Sequence, residues 1–332
     1  MFSHGYLLKF AHYSSGDPNI FLCDSAGQPL KELLITPPNT ASVFLTSVDV
    51  GKNSQLGFAG KTKGAGGKPY AFIGLSGIDG VKPIFFNTGK YIATKIAVAD
   101  DGSIWAVGAT GPDNSTVSGQ SVTKWNNYDT VRHYSSSGIL MEHYLPRWES
   151  SIAYSSVTTD SAGQKTSGLY DSGGSLKQIT IDGQLSGYSG AWNAKRQVFL
   201  RSSGSQIILL DGENQLVYRW NPKERNFVGQ PIVGYFVKTL PIITGVVLHR
   251  NGDVVASLRC SDSISGSLRG LFRLVQESSG TSLEWQEVHG TLNKGHALGK
   301  FDSLLGADGD SLVYSRTKDK GDKSTAFYES NW

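Results

Sequence analysis

Apolar residues recur along this chain in short runs, and the polar breaks between them fall on turn-forming residues. The clearest unit is strand, turn, strand. Ile96-Ala97-Val98-Ala99 passes through Asp100-Asp101-Gly102 into Ser103-Ile104-Trp105-Ala106-Val107. Val246-Val247-Leu248 passes through His249-Arg250-Asn251-Gly252-Asp253 into Val254-Val255-Ala256. The same shape returns around Gly204 and Gly309, with weaker copies over residues 47–58 and 157–169. Asp-Gly and Asn-Gly supply the positive φ that a two-residue turn requires, so each copy is predicted to be a tight antiparallel hairpin. No stretch carries apolar residues at i, i+3, i+4 and i+7 over three turns, and no helix is predicted.

Asn53, Gly102, Gly163, Gly204, Gly252 and Gly309 mark the six copies, 41 to 61 residues apart. The mean spacing, about 51 residues, is close to the length of a four-stranded propeller blade. A second hairpin follows the first over residues 70–86, 130–145, 176–188, 216–228 and 271–288. The fold class predicted is all-β: a β-propeller of about six four-stranded blades, one domain over residues 1–332. The last unit is short of strands, whereas residues 20–34 read as a spare strand-turn-strand unit. N-terminal strands are therefore expected to join the last blade and close the ring.

Composition agrees with many tight turns and few solvated helices. Glycine makes up 40 of 332 residues and charged residues 18%, against usual shares of about 7% and 25%. The net charge of +3 is too balanced for a nucleic-acid partner, which shows as a clustered basic stripe. The one dense run, residues 316–323, alternates in sign and reads as a solvated hairpin loop. No run approaches the 18 apolar residues of a membrane span. Residues 1–13 are interrupted by His4, Lys9 and His12 and do not read as a signal peptide. Low charge with abundant Ser, Thr, Gly and Asn leans towards an extracytoplasmic location. Cys23 and Cys260 sit in strand-like segments and are expected as buried free thiols.

Two segments carry a family resemblance. Ala99-Asp100-Asp101-Gly102-Ser103-Ile104-Trp105-Ala106 followed by Val131-Arg132-His133-Tyr134-Ser135-Ser136-Ser137-Gly138-Ile139-Leu140 resembles the paired hairpins of bacterial six-bladed propellers of the NHL-repeat kind. That group includes scaffolds, sugar or peptide binders and metal-dependent hydrolases, so the resemblance implies architecture rather than activity.

Searching for chemistry removes the common catalytic motifs. The Gly60–Lys68 segment is glycine-rich and basic but lacks the P-loop spacing, and is expected as a hairpin loop. The seven histidines form no H-x-x-x-H pair or Cys/His zinc cluster; His133 and His143 are expected as solvent-facing strand residues. No Gly-x-Ser-x-Gly elbow occurs. The connection over residues 108–127, with Asn114-Ser115-Thr116 inside it, is longer than a hairpin needs, and such loops are commonly functional.

A propeller seats ligands near its axis, among the loops that lead into the first strand of each blade. Those loops hold Tyr91, Arg147, Trp148, Trp192 and His296, with Trp125 at the end of the long connection; these six are the expected ligand-binding residues. Trp and Arg are enriched at binding hot spots because each combines contact area with directional polar groups. The expected function is a non-catalytic binding or scaffold propeller for a glycan, peptide or protein partner, without a cofactor. The alternative is a metal-dependent hydrolase or lactonase-like enzyme. In that reading the oxygens of Glu149, Asn193 and Asp302 converge on a Ca²⁺ ion at the axis.

Overall fold

A computed structural model describes residues 2–3, 5–24, 27–52, 54–64, 67, 69–78, 83–89, 91–110, 113–117, 120–124, 130–144, 147–148, 155–159, 165–170 and 176–181. It also describes 198–212, 215–233, 241–262, 266–278, 280–288, 293–294, 300–308, 311–317 and 325–331.

Among the described residues the main strands form seven antiparallel units in chain order. Unit I is Phe2–Ser3, Tyr6–Phe10, Ile20–Cys23 and Pro29–Leu33; unit II is Val43–Val50, Gln55–Lys63, Pro69–Gly77 and Ile84–Gly89. Unit III is Tyr91–Val98, Ile104–Thr110, Thr130–Tyr134 and Leu140–Tyr144; unit IV is Ser155–Thr159, Lys165–Tyr170 and Leu176–Ile181. Unit V is Val198–Ser203, Gln206–Asp211, Leu216–Asn221 and Asn226–Val233. Unit VI is Ile242–Leu248, Val254–Asp262, Gly266–Gln276 and Leu283–Glu287, and unit VII is Lys300–Asp308, Ser311–Thr317 and Thr325–Asn331. A short parallel pairing, Ile232 with Leu283 and Val233 with Glu284, joins the last strands of units V and VI.

The apolar runs are continuous because both faces of these units are covered. Successive strand residues point to opposite faces, and in Gln206–Asp211 the two sets part company. Ile207 and Leu209 pack with Trp105, Val107 and Val131 of unit III, while Ile208 and Leu210 pack with Val246, Leu248 and Val254 of unit VI. Leu8, Ile20 and Leu22 of unit I meet Leu45, Leu56 and Phe58 of unit II; Ile73 and Leu75 of unit II meet Tyr91, Ile96 and Ile104 of unit III. Val247 and Val255 of unit VI meet Leu304 and Leu312 of unit VII, and Val313 of unit VII meets Leu7 and Cys23 of unit I. Each large side chain buried in this way contributes about 1.5–3 kcal/mol, spread over seams rather than held in one central core.

First strands lie beside one another: Val43–Val50 next to Tyr91–Val98, then Val198–Ser203, Ile242–Leu248 and Lys300–Asp308, with Phe2–Ser3 beside the last of these. Four-stranded sheets packed face to face, first strands innermost, are the plan of a β-propeller. Three of the marker glycines sit at first-hairpin turns as expected: Gly102, Gly204 and Gly252, with φ of 79°, 61° and 94°. Gly309, Gly163 and Asn53 lie outside the described residues.

Several expectations change. The N-terminal strands do not add to the last unit; they build a complete four-stranded sheet of their own. The reason is that Tyr6–Phe10, read from sequence as broken apolar pieces, pairs with Ile20–Cys23 from Leu7 to Phe10. The turns at Gly102 and Gly252 are three-residue loops rather than two: Ala99 N donates to Ser103 O, and His249 N donates to Asp253 O, both at 2.9 Å. In each, only the glycine has left-handed φ, the arrangement of a type I turn closed by a bulge. The long connection over 108–127 contains a hairpin of its own, Asp113–Val117 paired with Gln120–Lys124. Gly60 to Lys63, expected in a loop, belong to the strand Gln55–Lys63. Cys23 is a free, buried thiol; the side chain of Cys260 is outside the described residues. Among the described residues no helix is long and apolar enough to cross a membrane.

Candidate functional site

Neighbouring first strands do not share a ladder, so side chains must satisfy backbone groups along these seams. Thr46 Oγ1 donates to Ala93 O at 2.6 Å, and Ser47 Oγ accepts from Ile96 N at 3.1 Å. Asp49 Oδ2 accepts from Val98 N at 2.8 Å, while Ser202 Oγ donates to Val98 O at 2.9 Å, so unit III is held at one residue from both sides. Arg201 Nε donates to Val246 O at 2.8 Å, and Ser257 Oγ accepts from Leu304 N at 2.9 Å. Four first strands are bulged against their partners: at Thr46, Thr94 and Thr244 in units II, III and VI, and at both Asp302 and Leu305 in unit VII. Bulges re-aim side chains and are common beside functional sites.

Within this polar layer stands a charged cluster. Asp49, Lys95 and Arg201 lie on the first strands of units II, III and V, with Arg201 within electrostatic reach of both others. Asp49 is buried, and burial pushes its carboxyl up to about 6, against amide hydrogen bonds from Val98 and Val50 and the charge of Arg201. Lys95 and Arg201 are partly exposed, although Ile96, Ala97 and Leu200 beside them are buried. Burial, and after it the charge of Arg201, pushes the Lys95 ammonium below its ordinary value. Burial also lowers Arg201, opposed by Asp49. Such a cluster can orient and hold a polar or charged ligand group.

The sequence reading missed all three residues. Their signal was present: a charge interrupts or borders an apolar run in Val48-Asp49-Val50, Lys95-Ile96-Ala97-Val98 and Phe199-Leu200-Arg201. In strands covered on both faces a charge is costly unless it is paired or functional.

Of the residues expected at the site, Tyr91 is described with its side chain and Arg147, Trp148 and Asp302 by their backbone. Tyr91 is 1% exposed, its hydroxyl donates to Ala106 O at 3.0 Å, and the Arg132 guanidinium covers its ring at 3.9 Å. It is a packing residue, because the strand starts there and its side chain fills the seam with unit II. Arg147 and Trp148 form a short strand of their own, whose backbone pairs in parallel with Val228 and Gly229 on the last strand of unit V; the next described strand is Ser155–Thr159, the first of unit IV. Asp302 occupies the bulge of the first strand of unit VII. Trp125, Trp192, His296, Glu149 and Asn193 lie outside the described residues. Among the described residues no group of three or more His, Cys, Asp or Glu is placed to share a metal ion. His133, expected in solvent, is partly buried, with its ring stacked on Trp105 at 4.0 Å between centroids.

No family model matches this chain, and no curated protein matches it. Solved structures resemble it at a distance. A putative 6-phosphogluconolactonase from Bacteroides fragilis is 11% identical with a TM-score of 0.40, over 98% of this chain and 95% of that one. The β-propeller domain of the trilobed protease from Pyrococcus furiosus is 11% identical with a TM-score of 0.27, over 86% and 95%. A protein described as glucose dehydrogenase is 11% identical with a TM-score of 0.33, over 81% and 95%. Likeness at this level assigns neither fold nor function.

Proposed function

We propose that units I, II, III, V, VI and VII are the six blades of a closed propeller, and that it is a non-catalytic binding protein whose ligand sits at the ring centre. The six apolar seams, running from unit I round to unit VII and back, support the ring. The observation that carries the binding reading is the placement of Asp49, Lys95 and Arg201 on first strands whose other residues are mostly apolar. The ligand is a glycan, peptide or protein group that presents polar atoms to this cluster. Paired hairpins resembling NHL repeats in unit III fit the same architecture.

The test is steric. Glycans and peptides are screened against the full chain by calorimetry, and hits are repeated on Lys95→Trp, which fills the centre whatever the charge of the ligand. Binding lost in Lys95→Trp, with the melting temperature kept, supports the reading. Binding unchanged in that variant places the ligand elsewhere and overturns it.

A Ca²⁺-dependent hydrolase is a second reading, favoured by one observation: Asp302 stands at one of the two bulges in the first strand of unit VII, as Thr46, Thr94 and Thr244 stand at the bulges of theirs. Ca²⁺ bound at the centre would raise the melting temperature by mass action, and Asp302→Asn would remove that rise. No shift with Ca²⁺ sinks this reading.

A further inference from the structure

The cluster at the ring centre is unbalanced in charge. Lys95 and Arg201 contribute two cations, and Asp49 is a carboxylate within electrostatic reach of Arg201. That carboxylate is already engaged, accepting the Val98 and Val50 amides. Arg201 uses Nε on Val246 O and Nη1 on Leu200 O, both at 2.8 Å, which fixes the guanidinium plane and leaves Nη2 to donate. Lys95 makes no hydrogen bond or ion pair among the described residues. A partly buried ammonium without an acceptor is unfavourable, and an incoming anion removes that cost. Hydrogen bonds between charged partners are about twice as strong as neutral ones.

We propose that the ring centre binds an oxyanion group, the carboxylate or phosphate of a ligand, between Lys95 Nζ and Arg201 Nη2. This rests on the binding reading above and specifies the chemistry of its ligand. Asp49 acts on the site indirectly: it holds unit III in register through Val98 and sets the field around Arg201, so it is a positioning residue.

The experiment compares melting temperatures of the full chain in inorganic phosphate, in acetate and in chloride at equal ionic strength. Wild type, Lys95→Arg and Lys95→Gln are measured. Phosphate or acetate should raise the midpoint of wild type and Lys95→Arg over chloride. Lys95→Gln should weaken the response roughly tenfold or more in apparent affinity, with its midpoint in chloride equal to or above that of wild type, since the uncompensated ammonium is gone. A response to phosphate alone identifies a phosphate ligand, and a response to acetate alone a carboxylate.

A measurement on wild type covers the case of a misfolded variant: phosphate or acetate should slow acetylation of Lys95, followed by mass spectrometry, without slowing that of Lys52. An equal response in wild type and Lys95→Gln, or no response to either anion, overturns the proposal. If neutral ligands are still lost in Lys95→Trp, binding at the centre stands and only the oxyanion is wrong.

Discussion

Asp49 should leave a mark on stability that can be isolated from every other titrating group. Its carboxyl is buried, and it titrates near 6 instead of the ordinary 3.8. Between those values the folded state keeps a proton that the unfolded state has released. Stability therefore falls as pH rises through this window and levels off above about 6. At about 1.4 kcal/mol per pH unit, the fall comes to about 3 kcal/mol. Asp49→Asn keeps an acceptor for Val98 N and removes the titration. Urea unfolding of both proteins at pH 4 to 7.5 gives the difference in free energy at each pH, and other groups cancel. The variant should gain on wild type by about 3 kcal/mol across the window. A difference that is constant with pH, or that runs the other way, would refute the burial and hence the position assigned to Asp49.

Other expectations arise from the seams. Burial lowers the pKa of His133, opposed by Asp101, so the unfolded state takes up its proton first and stability is lost as pH falls below about 6.5. His133→Phe, which keeps the ring against Trp105, should flatten that loss when compared with wild type by urea unfolding. A Cβ on Gly245 would lie 1.9 Å from Leu304 O, so the first strands of units VI and VII would have to separate. Gly245→Ala should cost about 1–3 kcal/mol, and an unchanged thermal midpoint would contradict the close approach. Deleting residues 1–35 removes the unit that covers both Leu45 and Val313; circular dichroism should show an unfolded chain, and a cooperative melt at the wild-type midpoint would deny that unit its place in the ring.

The hairpins were legible because their turns carry local rules. Gly102 and Gly252 announce positive φ, and the runs around them are long enough to span a sheet. What lay beyond sequence was set by tertiary contacts. Tyr6–Phe10 reads as fragments because Lys9 is exposed and Phe10 only partly covered, while Leu7 and Leu8 face opposite neighbours. The bulges at Thr46 and Thr94 have no glycine or proline beside them, and Gly245 next to Thr244 does not by itself announce a bulge. Site residues were sought in loops rich in aromatics, and Tyr91 shows the weakness of that search: a large amphipathic ring also suits a seam, with its hydroxyl satisfied by Ala106 O. The better signal was energetic. Asp49 interrupts an apolar run, Lys95 begins one and Arg201 ends one, and a charge held there needs a partner.

The most direct test is a crystal structure of the full chain grown in phosphate. The account predicts six sheets around one centre, Phe2–Ser3 beside Lys300–Asp308, and density for an anion between Lys95 Nζ and Arg201 Nη2. A ring left open between those strands, or Lys95 and Arg201 turned into separate seams with no space shared between them, would contradict it.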